Sequence, residues 1–209
     1  MISSGNKDLD NVIGGFGKEL NLIYGPAASG KTTLSKIIAI NQLDKNKKVV
    51  YLDTENGFSV DRFMQLYGSN YLYYLDKLLL LKVNSFEEQC HKIDQMMYFV
   101  NIDLVIVDSL GVHYRKEVRE NPVEVNKKIE RQLRILTELT RRGVPVIVTN
   151  QVSTDPGTGE IKIVGGDMVK KWAKKLIELQ KEPRKIILRR PEEKEVLFEI
   201  TNDGVKIIS

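Results

Sequence analysis

Residues 25–32 read Gly25-Pro26-Ala27-Ala28-Ser29-Gly30-Lys31-Thr32, a full G-x-x-x-x-G-K-[ST] pattern. An apolar stretch, Leu20 to Tyr24, precedes it, and a helical stretch begins near Lys31. A strand, a tight loop and a helix in that order form a cradle for phosphate groups. Gly25 and Gly30 let the backbone curl without a Cβ in the way. The amides of residues 28–32 then point inward, and the helix N-terminus adds its partial positive charge. Lys31 is expected to reach the β- and γ-phosphates. The Thr32 hydroxyl is expected to sit on Mg²⁺.

Around the loop, strand-like and helix-like segments alternate. That order predicts an α/β fold, a mostly parallel twisted sheet with helices on both faces. Strands are expected at 20–24, 48–53, 78–83, 104–108 and 144–149, and helices at 32–43, 59–67, 85–100 and 121–142. Ser85 and Glu88 read as a capping box. The stripe Phe86, Cys90, Ile93, Met97 and Val100 is expected to pack in the core, with no cofactor role for Met96 or Met97. Lys170 to Lys181 read as a helix. After it, Lys185–Arg190, Val196–Thr201 and Val205–Ile208 read as a C-terminal antiparallel extension.

With 209 residues, 42% of them apolar, the chain is long enough for one α/β domain, expected to span 1–209. No apolar run approaches a membrane span. No signal peptide is legible, and a single cysteine cannot form an internal disulfide, so the expected setting is cytoplasmic. His91 and His113 share no metal-ligand spacing with each other or with Cys90, so no zinc site is expected. Residues 162–190 hold ten Lys/Arg against three Asp/Glu, although the whole chain carries only +4. Such a segment suits a polyanion, or simply a solvated lysine-rich face.

A triphosphate site needs an acid to orient the metal and a group to position the attacking water. Asp108 ends the apolar strand 104–108 and suits the first task. Ser109 follows it, where many nucleotide hydrolases carry a glutamate, so the base must come from elsewhere. Glu55, just past the strand ending at Asp53, is the candidate base. Asn150-Gln151 should emerge on the same carboxyl-side rim. An amide there either caps a loop or senses the γ-phosphate.

These motifs resemble the RecA-like recombinase ATPases, most closely their short archaeal RadB branch. The resemblance covers nearly the whole chain. It is carried by Ser4-Gly5…Leu9-Asp10…Gly14-Gly15, by the loop with Thr33, by Asp53-Thr54-Glu55-x-Gly57-Phe58-Ser59-x-x-Arg62, by Val107-Asp108-Ser109-x-x-x-His113-Tyr114-Arg115, by Arg131-Gln132-Leu133, and by Pro145-Val146-Ile147-Val148-x-Asn150-Gln151-Val152. It implies ATP and Mg²⁺ as cofactors. Glu55, Lys31 and Gln151 become the catalytic set, with Gln151 sensing the γ-phosphate. Gly25 through Thr33 hold the nucleotide, Arg62 stacks on adenine, and Thr32 and Asp108 hold the metal. The stretches 113–125 and 152–167 become the two DNA-facing loops. DNA contacts are expected from His113, Arg115, Lys162, Lys170, Lys171, Lys174 and Lys175.

Departures shape the expectation further. The expected organisation is an ATPase core alone, without the helix-hairpin-helix domain of full-length recombinases. It contains no Phe-x-x-Ala segment, which argues against filaments and leaves a homodimer open. The second loop lacks aromatic residues, so DNA binding, to single-stranded or branched forms, should be largely sequence-independent. Asn56 stands where related chains usually carry glycine. The expected role is an accessory protein of recombination and repair with weak ATPase activity, acting on a recombinase or a Holliday-junction resolvase. A DNA-stimulated ATPase with its own strand exchange and a KaiC-like regulator are the alternatives.

Overall fold

The computed structural model describes residues 1–59, 73–74, 76–154, 161–201 and 204–208. The helix expected at 59–67, and Arg62 within it, lie outside the described residues apart from Ser59. The chain begins with helix α1 (Lys7–Ile13), then strand β1 (Leu20–Gly25), the phosphate loop and helix α2 (Lys31–Asp44). Strands β2 (Val49–Asp53) and β3 (Leu78–Lys82) follow, then helix α3 (Phe86–Gln95) and strand β4 (Leu104–Asp108). Next come helices α4 (Gly111–Glu117) and α5 (Pro122–Arg141), strands β5 (Val146–Thr154) and β6 (Ile161–Ile163), and helix α6 (Gly166–Trp172). Strands β7 (Lys175–Lys181), β8 (Arg184–Arg190), β9 (Lys194–Thr201) and β10 (Gly204–Ile208) complete it.

One sheet in the order β10-β9-β8-β7-β1-β5-β4-β2-β3 runs through the molecule, with β6 paired to β5. From β7 to β3 the neighbours are parallel, and β8, β9 and β10 add an antiparallel wing. Every residue of β1, β2 and β4 is buried, as parallel strands covered on both faces require. Alternate residues divide between two cores. Leu20, Leu22, Val105 and Val107 pack with Phe86, Ile129 and Leu133 of α3 and α5. Ile23, Leu104, Ile106 and Phe198 pack with Leu9 of α1 and Leu34 and Ile38 of α2. Trp172 packs against the first core. Among the described residues no helix is long and apolar enough to cross a membrane.

Register decides what the rim holds. Gly25 stands opposite Gln151, and Asp53 opposite Asp108. The strand ends therefore converge on one edge of the sheet, where side chains far apart in sequence meet.

Two local expectations are corrected. The 170–181 helix is absent: α6 stops at Trp172, Ala173 is extended, and β7 pairs with β1. Leu176, Ile177 and Leu179 are buried there, and strand pairing outweighs the helical propensity of the lysines. The core stripe of α3 also shifts. The helix tightens into a 3-10 turn at Met96–Tyr98, so Met96 is fully buried and Val100 is 76% exposed. The capping box forms in modified shape: the Ser85 hydroxyl accepts from Glu88 N, while the Glu88 carboxylate accepts from Asn84 N rather than Ser85 N.

Candidate functional site

The phosphate loop leaves β1 at Gly25 because nothing larger fits. A Cβ there would lie 2.2 Å from the carbonyl oxygen of Leu179 on β7. The left-handed positions in the loop are Ala28 (φ 59°) and Gly30 (φ 105°). Lys31 is nearly buried, and its Nζ donates to the carbonyls of Gly25 (3.0 Å) and Pro26 (2.7 Å). The loop is thus wrapped around its own ammonium group. Burial lowers the Lys31 pKa, against the opposing pull of Glu55 and Asp108. The Ser29 hydroxyl is buried without a partner.

Asp108 sits under this loop with both oxygens occupied. Tyr51 OH donates to Oδ2 at 2.7 Å and Thr149 Oγ1 to Oδ1 at 2.5 Å. Burial raises its pKa in spite of those bonds and a further one from Thr32. A hydroxyl and a carboxylate meeting beside a lysine form a hard oxygen donor set that fits Mg²⁺.

Glu55 lies on the turn after β2. Asp53 shapes that turn by accepting from three amides, Glu55 N (3.2 Å), Gly57 N (3.1 Å) and Phe58 N (2.8 Å). Ser109 Oγ donates to Glu55 Oε1 at 2.7 Å, and Gln151 Nε2 donates to both carboxylate oxygens. Arg115 on α4 donates to Gln151 Oε1 at 3.2 Å. A polar chain therefore runs from Ser109 through Glu55 and Gln151 to Arg115. Thr54 and Ser109 exchange hydrogen bonds beneath it. A cleft of about 340 Å³ opens between the phosphate loop, Glu55, Gln151 and Ile200.

Lys31, Thr32, Asp108, Glu55 and Gln151 are thus brought together as the sequence leads one to expect. Asn150 is a structural amide instead: it is buried, and its Nδ2 donates to Val164 O. The roles of Tyr51, Thr54, Ser109, Thr149 and Ile200 carry no local signal, because each depends on a partner strand.

The basic residues divide. Two of the expected DNA contacts are buried. His113 is 4% exposed, with its ring Nε2 at 3.2 Å from Val83 O, because α4 packs its first turn inward. Lys175 is 6% exposed and donates to Ile13 O at 2.8 Å and to Gly15 O, satisfying carbonyls at the end of α1. Arg190 serves α6 in the same way through Lys170 O and Ala173 O. Arg189 pairs with Glu178 and Glu193. Arg115, Lys162, Lys171 and Lys174 are exposed, and Lys170 is half-buried.

Residues 1–207 match the family model described as Rad51. The chain belongs to the Rad51 family. Within that family it is 37% identical to the DNA repair and recombination protein RadB of Thermococcus kodakarensis, over 99% of both chains. It is 34% identical to the RadB of Methanococcoides burtonii, over 99% of this chain and 97% of that one. A crystal structure of the RadB recombinase superposes with a TM-score of 0.82 at 35% identity, covering all of both chains. The RecA-like architecture, with its mostly parallel sheet and antiparallel C-terminal strands, is shared with that structure.

Proposed function

We propose that this Rad51-family protein binds ATP with Mg²⁺ and DNA, and acts in recombination and repair as an accessory ATPase of low turnover. The observation that carries the proposal is the hydrogen-bonded chain from Glu55 through Gln151 to Arg115. It joins the candidate base at the phosphate loop to a cation on α4, the helix in the stretch that resembles a DNA-facing loop.

The roles follow from the geometry. The Lys31 ammonium, now satisfied by loop carbonyls, turns to phosphate oxygens when they enter the cradle. The Ser29 hydroxyl lies within the same loop and offers a free donor. Thr32 and Asp108 hold the metal, which when bound neutralises developing charge on the phosphates. Glu55 orients a water and takes its proton. In this structure two donors hold Glu55, so its carboxylate must be released from Gln151 before it can do so. That restraint supports slow hydrolysis. Gln151 then becomes free to meet the γ-phosphate, and Arg115 loses its partner and turns toward a DNA phosphate.

The exposed Lys162, Lys171 and Lys174, with the half-buried Lys170, extend that cationic surface, which favours backbone contact over base readout. The partner protein would be a recombinase or a Holliday-junction resolvase, named by the family's recombination role. Arg115 also favours a second reading, a DNA-stimulated ATPase with strand exchange of its own. Phosphate release measured with and without single-stranded DNA decides between them. A low rate indifferent to DNA supports the accessory role. Stimulation of about 10³-fold, the size a supplied cationic group can deliver, would overturn it.

A further inference from the structure

We propose that Lys36 is a positioning residue that locks the turn carrying Glu55 to the helix that begins at the phosphate loop. Lys36 lies four residues after Thr32, on the same face of α2 and one turn along it. Its Nζ donates to the carbonyl of Gly57, two residues beyond Glu55, and lies 5.8 Å from the centre of the Phe58 ring. Gly57 also faces Thr32: a Cβ at Gly57 would lie 3.3 Å from Thr32 Cγ2.

The turn is held from two sides. Asp53 gathers the amides of Glu55, Gly57 and Phe58, and Lys36 takes the carbonyl between the last two. Phe58 is 4% exposed and packs edge-on against Tyr51 at 5.0 Å, and Tyr51 donates to Asp108. The clamp therefore closes a ring of contacts linking the metal-side acid, the base-carrying turn and the start of α2. Burial pushes the Lys36 pKa down, and Asp108 and Asp53 oppose that shift. A lysine on a solvated helix face meets no such penalty. Desolvating this one is explained by the carbonyl it anchors. Because α2 also carries Lys31 and Thr32, any shift of the helix on loading the phosphate cradle moves Gly57, and with it Glu55.

The inference rests on the proposed ATPase for its activity readout only. The test compares wild type, Lys36→Met and Lys36→Arg. In nucleotide-free protein, amide hydrogen exchange at Glu55, Gly57 and Phe58 should quicken about ten-fold in Lys36→Met, the loss of one hydrogen bond to a charged group, with exchange in α5 unchanged. Lys36→Arg should restore slow exchange. With ATP and Mg²⁺, Lys36→Met should lower kcat about ten-fold while nucleotide Kd stays within about two-fold. Wild-type exchange in a folded Lys36→Met variant overturns the clamp. So does a loss of affinity that matches the loss of turnover, which would make Lys36 a binding residue. If wild type itself hydrolyses no ATP, the proposed function falls while the exchange measurement still decides the clamp.

Discussion

The Gln151 side-chain amide donates to both oxygens of Glu55, at 3.1 and 3.2 Å, across 96 residues of sequence. The pair lines the cleft beside the phosphate loop. Glu55→Gln keeps the shape of the turn and the Ser109 contact but removes the basic oxygen. Its turnover should fall by about 10²-fold or more, the usual contribution of a positioned base. ATP should remain bound with near-wild-type affinity. Phosphate release and nucleotide titration measure the two quantities, and unchanged turnover would exclude Glu55 as the base.

Lys31→Ala removes the ammonium that the loop is folded around. Gly25 O and Pro26 O then lose their shared donor, and the cradle loses its only buried lysine among the loop residues. ATP affinity should drop below detection in calorimetry, while the fold, checked by circular dichroism, persists. Retained affinity would remove the phosphate-loop assignment.

The exposed Lys171 and Lys174 and the half-buried Lys170 offer a test of DNA contact that leaves the buried Lys175 alone. Reversing Lys170, Lys171 and Lys174 to Glu should weaken retention of single-stranded DNA. The slope of log K against log salt should shrink by about 0.7 for each DNA phosphate no longer neutralised. Lys175 is excluded from this set because it holds the end of α1. An unchanged slope would show these lysines to be merely solvated.

Glu178 gives a pH dependence of stability. Burial alone would raise its pKa, but bonds from Gln180 and Arg189, with Arg189's charge, outweigh burial and leave it below the ordinary 4.5. A carboxyl group with a depressed folded pKa stabilises the fold above its unfolded pKa. That contribution is complete above 4.5 and is lost as pH falls through the lowered value. Urea midpoints at neutral pH and well below 4.5 should therefore differ more in wild type than in Glu178→Gln. Equal differences would show that the Glu178 charge adds nothing to stability.

Much of this molecule is legible in its sequence. The run Leu104 to Asp108 announces a central strand by its unbroken apolar character, and Asn121-Pro122 announces the start of α5, where Asn121 Oδ1 accepts from Glu124 N. Residues 170–181 mislead because lysines suit a helix and the alternation around Leu176 is short. Lys175 misleads for a related reason. A lysine in a basic run looks like a ligand for polyanions, and only the packing of α1 against the wing shows its ammonium turned inward.

Local order along the chain alone determined the phosphate loop and the strand and helix that flank it, since that cradle is made by consecutive residues. Strand pairing decided the rest. The β2–β4 register sets Asp53 beside Asp108, and with it Glu55 against Ser109. The β1–β5 register brings Gln151 level with Gly25. The antiparallel wing returns Ile200 to within 2.9 Å of where a side chain on Gly30 would begin. Such meetings depend on which backbone amides pair across the sheet, and a hydrophobic pattern read along one strand does not encode the alignment of another.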